Sequence, residues 1–159
     1  MSATDAFETK IMGLIFQNAA ATNIGDAGGL LPSSTAGSFY ISLHTADPGE
    51  TGDQTTSESA YTNYARVAVA RSAAAWSHAA GVTDNDAAIT FPACGATGST
   101  VTHFGIGSAS SGAGNRDFNG TSSLTVSNGV TPSFAIGALD VTCDFFGPGG
   151  RPPLNSFSE

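Results

Sequence analysis

SFYISLHTADPG, residues 38–49, is the stretch on which the fold class turns. Phe39, Ile41 and Leu43 alternate with Tyr40, Ser42 and His44, a period of two that predicts a half-buried β-strand. Asp47-Pro48-Gly49 then predicts a turn, because proline presets φ and glycine accepts a positive one. Working outward, the same short period recurs. YARVAVARSAAAW (64–76) reads as a strand with Val67 and Val69 on one face and Arg66 on the other. AAITF (87–91) is stopped by Pro92, and STVTHFGIG (99–107) places Phe104 and Ile106 on one face. SSLTVS (122–127) and SFAIGALDVTCDFF (133–146) follow, the latter breakable into two strands near Gly137.

Only one segment carries a helical period. In DAFETKIMGLIFQN (5–18), Phe7, Ile11, Leu14 and Ile15 form a stripe, and Asp5 with Glu8 resembles a capping box. Together these elements predict a mainly β chain. The expected architecture is a β-sandwich or jelly-roll-like domain preceded by one N-terminal amphipathic helix, with an extended C-terminal arm. Residues 1–146 are expected as one domain, with the helix at 5–18 and strands from 38 to 146. The closing stretch GPGGRPPLNSFSE (147–159) has too few apolar residues for a core of its own. It reads either as a frayed tail or as an extended arm that gains order by docking on a neighbour, with Arg151, Pro152, Pro153, Leu154 and Phe157 as the partner contacts.

Composition narrows the function. The 159 residues carry a net charge of −8, which disfavours phosphate backbones and anionic lipid alike, so neither nucleic acid nor membrane is an expected partner. Only 11% of residues are charged, well under the roughly 25% of an average domain, which leaves a neutral surface of Ser, Thr, Gly and Asn. The apolar run Ile11–Phe16 is short, contains Gly13 and follows acidic residues, so no export signal is expected and synthesis in a reducing cytoplasm is. Cys94 and Cys143 are too few for a disulfide framework; they read as buried hydrophobes or as one bridge between strands.

Chemistry-bearing patterns are weak. His44, His78 and His103 are scattered, so no metal is expected; His44 and His103 are expected as partly buried residues bonded within the sheet. Asp84-Asn85-Asp86 opens like a calcium loop but lacks the later glycine and glutamate, and reads as a turn. Gly105-Ile106-Gly107 begins a dinucleotide fingerprint that Ser110 interrupts, so no cofactor is expected. Asp47, Glu50, Asp53 and Glu58 fall in a polar loop (50–60) expected to be solvated, and no Ser-His-Asp set is marked. Tyr61 and Tyr64 are the sole candidates for an aromatic sugar platform, and Tyr64 reads better as a sheet residue. No catalytic residue is expected.

LHTADPGETG (43–52), YARVAV (64–69), AAITFP (87–92), VTHFGI (101–106) and SFAIGAL (133–139), in this order, resemble a family of small tailed-phage virion structural proteins often labelled as tail-fibre proteins. The resemblance spans roughly residues 7–145 and departs from the family in the long connection SASSGAGNRDFNG (108–120) and in the tail to Glu159. It implies a non-enzymatic part of a bacteriophage virion. The leading expectation is a capsid decoration, or cement, protein binding between major capsid proteins, as a homotrimer by analogy. A tail-fibre or other tail component contacting the host surface is the alternative. Fibre shafts are usually repetitive and this chain has no internal repeat, which sets the order of the two.

Overall fold

The computed structural model describes residues 3–142 apart from Ala80. Its elements, in chain order, are α1 (Asp5–Gln17), β1 (Ser38–His44), β2 (Val67–Ala70), β3 (Trp76–Ala79), β4 (Val82–Asn85), β5 (Ile89–Thr90), β6 (Ser99–Gly107), β7 (Arg116–Val126), β8 (Ser133–Phe134) and β9 (Val141–Thr142). The expected mainly β chain with one N-terminal helix is what forms. Among the described residues, three antiparallel sheets share the strands: four in the order β2-β1-β6-β7, three as β3-β4-β9, and the pair β5-β8. The arm 147–159, with Arg151, Pro152, Pro153, Leu154 and Phe157, lies outside the described residues, as does Cys143.

Helix α1 begins at Asp5 as expected, but its cap lies one residue before the expected capping box. Thr4 is the N-cap, extended at φ −94°, and its Oγ1 accepts from the Phe7 N–H. Asp5 and Glu8 occupy the first turn, where carboxylates complement the helix dipole. Asn18 ends the helix at φ 54°, and the Ala19 N–H returns to the Gly13 carbonyl at 3.0 Å. The buried face also differs from the expected stripe. Met12, Gly13 and Phe16 are buried, whereas Phe7 is 39% exposed. The reason is close packing on β3: a Cβ on Gly13 would lie 3.4 Å from His78 Nε2, so the helix turns its smallest residue toward that strand.

Phe16 joins the layers. Its ring lies 4.8 Å from Trp76, 5.0 Å from Phe39 and 5.2 Å from Phe118, so one helical side chain touches β3, β1 and β7. Such tilted and edge-on aromatic pairs add about 0.5–1.5 kcal/mol each beyond area burial. A second chain of rings, Tyr64–Phe91–Phe134–Phe104, continues the core toward β5 and β8.

Three further expectations are corrected. The stretch 64–76 is not one strand: only Val67–Ala70 pairs with β1, and the chain turns at 72–76 to start the β3–β4 hairpin. Asp84 and Asn85 belong to β4 and not to a turn. Asn85 is fully buried, donates to the Ala87 and Ala135 carbonyls and accepts from the Leu139 N–H, which anchors the 135–139 turn. Finally, β7 starts at Arg116, inside the expected connection 108–120. Gly120 is tolerated there because the Phe104 ring on β6 lies over it, 2.6 Å from where a Cβ would stand.

Phe16→Ala is expected to cost about 3–5 kcal/mol in denaturant unfolding, against less than about 0.5 kcal/mol for Leu31→Ala at a surface position 74% exposed.

Candidate functional site

Both faces of β1 are buried at its C-terminal end. Phe39, Ile41 and Leu43 face the core as expected, but Ser42 and His44 are also fully covered. What covers them is the loop 45–59. The Thr45 N–H donates to the Ser57 carbonyl and the Ser59 N–H to the Leu43 carbonyl, so residues 57–59 extend the sheet edge beyond β2.

Of the acids expected to be solvated, Asp47 and Glu50 are exposed, but Glu58 is not. Its carboxylate takes two 2.7 Å bonds from Arg66, Nε to Oε1 and Nη2 to Oε2, in a bidentate pair. The side chains are only 2% exposed for Arg66 and 18% for Glu58. Tyr64 donates its hydroxyl to the same carboxylate and accepts the Leu43 N–H. Arg66 donates two further bonds, to the Ala109 and Gly112 carbonyls, each at 2.9 Å. Burial pushes the Tyr64 hydroxyl far above its usual range, and the Glu58 bond holds Arg66 above its own. Tyr64 precedes β2 and is therefore not a strand residue.

Gln54 adds a second tie. Fully buried, it donates to the Tyr40 carbonyl and accepts the Ala109 N–H, while its own N–H reaches the Gly114 carbonyl. A Cβ on Gly107 or Gly114 would stand within 2.5 Å of its side chain, so both positions must be glycine. Arg116, from the start of β7, reaches back to the Gly49 and Gly52 carbonyls. Its Nε is buried without a hydrogen-bond partner among the described residues. Loops 45–59 and 108–115 are thus locked to one another and to the sheet, and the second presents exposed Ser108, Ser110, Ser111 and Gly112.

Inside the lock is a Ser–His pair that local sequence did not mark. Ser42 Oγ lies 2.9 Å from His44 Nε2, and His44 Nδ1 lies 2.8 Å from the Thr56 carbonyl. The carbonyl fixes the proton on Nδ1, so Nε2 accepts from the serine. The pair resembles a nucleophile and its base in distance alone. Both residues are fully buried, the third partner is a carbonyl, and Gly105 presses on them, a Cβ there meeting Ser42 Oγ at 2.8 Å. The pair joins strand to loop.

The other candidates scatter. His103 bonds Thr102, and His78 lies 3.4 Å from Thr83 Oγ1 on the hairpin. Tyr61 is buried and donates to the Pro92 carbonyl, so it offers no open ring. Cys94 is a buried free thiol. Among the described residues no group of three or more His, Cys, Asp or Glu is placed to hold a metal. Surface depressions of about 320 Å³ beside Arg71 and Phe39, and about 220 Å³ beside Asp117 and Asp140, lie away from the Ser42–His44 pair. No described helix is long and apolar enough to cross a membrane.

The comparison with known families is specific: residues 2–142 match the model described as podophage GP4 fiber I protein gp80, and the chain belongs to that family. The expected kinship with tailed-phage virion structural proteins therefore holds. The description names a fibre, which supports the tail-fibre alternative over the leading capsid-decoration reading. No curated protein matches the chain.

His44 generates a pH prediction. Burial lowers its pKa below the ordinary 6.5, against a smaller opposing effect of the Thr56 carbonyl. The unfolded chain therefore takes up this proton at a higher pH than the fold does. Stability from His44 is complete above pH 6.5 and is lost progressively as pH falls below that value to and through the lowered pKa of the folded state. The melting temperature should drop between pH 7.5 and 5.5, and His44→Gln should flatten that slope while lowering stability at pH 7.5. A slope unchanged in the variant would contradict this assignment.

Proposed function

We propose that this chain is a non-enzymatic structural component of the fibre of a podophage-type virion, working by contact with other virion proteins. The observation that carries the reading is the family match over residues 2–142. The locked loops support it, because a part that transmits force or holds neighbours benefits from loops that cost no further ordering entropy on contact. The net charge of −8 favours protein partners over the packaged nucleic acid. In this reading Arg151, Pro152, Pro153, Leu154 and Phe157 supply contacts to a neighbouring virion protein, since prolines that precede the apolar pair reduce the entropy lost on docking. The capsid-decoration role draws support from no described residue.

Immunogold labelling of intact particles with antibody against the folded chain tests the proposal. Label confined to the tail and its fibres, together with reduced adsorption to host cells, is the expected outcome. Label spread over the head shell would refute it.

A further inference from the structure

Three side chains converge over Gly105 on β6. A Cβ there would meet Ser42 Oγ at 2.8 Å, His44 Nε2 at 2.9 Å and Arg116 Cδ at 3.0 Å. Arg116 is therefore packed against the Ser42–His44 pair, and its guanidinium holds the loop tip 47–53 through the Gly49 and Gly52 carbonyls. The two arginines around His44 are held differently. Arg66 has the Glu58 carboxylate. Arg116 is bonded only to carbonyls, forms no salt bridge among the described residues and leaves its buried Nε–H without a hydrogen-bond partner there.

We propose that this chamber is an acid-operated latch: a proton on His44 displaces Arg116 from the Gly49 and Gly52 carbonyls and frees the tip 47–53, while the Glu58–Arg66 pair keeps the root of the loop closed. The proton comes from water and goes to Nε2, the nitrogen that accepts from Ser42 in the neutral state. Ser42 then turns its hydroxyl hydrogen to the Gly105 carbonyl, 3.3 Å away, and accepts the new Nε2–H. Nδ1 keeps its bond to the Thr56 carbonyl, so the imidazolium stays bonded at both nitrogens and only its charge has to be accommodated. The neighbours decide what yields. Arg66 and Arg116 oppose the new charge, and Glu58, which favours it, is already shared by Arg66 and Tyr64. His103, the register partner of His44 on β6, is bonded to Thr102. Arg116 gives way, because it surrenders only neutral acceptors and gains water for its Nε–H. The opening is local, distinct from a global loss of stability, and it does not depend on the fibre assignment.

The full chain, isotope-labelled, is followed by NMR as pH is lowered from 7.5 until the His44 ring signals report its proton. The amides of 49–53 are expected to change in step with that ring, their order parameters falling from about 0.85 to below about 0.6. The Thr45 and Ser59 amides, bonded at the root of the loop, should stay ordered. Arg116→Gln should leave the tip loose already at pH 7.5, His44→Gln should hold it closed throughout, and His103→Gln should leave the switch in place. A tip that stays ordered once His44 is charged overturns the proposal, as does a tip that Arg116→Gln leaves ordered or one that loosens in His44→Gln at the wild-type midpoint. Simultaneous loss of order at the tip, Thr45 and Ser59 in the wild-type chain overturns it too.

Discussion

Arg66 brings a permanent positive charge into a position with almost no access to water, and such a charge is tolerable only when its donors are met. Meeting them organises one end of the molecule. Glu58 must come in from the loop after β1, Tyr64 must bridge that carboxylate to the β1 backbone, and the connection before β7 must turn its carbonyls inward. Removing one partner of such a pair costs about 3–5 kcal/mol, because the other is left charged and buried. The loops are therefore as much a part of the fold as the strands they join.

A similar device holds the helix. The last turn of α1 contains no basic residue of its own, and Arg71, fifty-six positions beyond Ile15, supplies one. Its guanidinium donates to the Leu14 and Ile15 carbonyls and to Ala36, and lies 5.9 Å over the Phe39 ring. That placement satisfies carbonyls a helix end leaves free and sets a cation at the negative end of the dipole. Phe16 supplies the apolar half of the same junction, reaching β1, β3 and β7 from one position. Both arginines that flank β2 thus serve long-range contacts.

How much of this was legible follows from what each element asks of its residues. Strand β6 was read with its observed bounds, and β1 and the break at Gly137 were also visible, because large apolar residues alternate there and Gly137 takes a positive φ. The β3–β4 hairpin was hidden, since its inward positions include Thr83 and Asn85, whose burial depends on partners far along the chain. Strand β7 was missed at its start because Asp, Asn and Gly disfavour strands in isolation; only Phe104 on the neighbouring strand makes Gly120 suitable. The helix face was read one position off because Gly13 carries no hydropathy signal for the close approach it permits. Glu58 looked like any solvated acid. One signal for the site did exist: Gly105 and Gly107, two apart on a strand, point to something large pressed on that face, and the structure places Ser42, His44 and Gln54 there.

For the proposed fibre role the consequence is a pair of loops already ordered before any partner arrives. Native-state hydrogen exchange of the intact chain tests this most directly, read at the Thr45, Gln54, Ser59 and Ala109 amides, all donors within the clamp. The account predicts that these four are protected nearly as well as the β1 and β6 ladder, and that Glu58→Gln releases them together while the ladder stays closed. Exchange of the four at unprotected rates in the wild-type chain would contradict it.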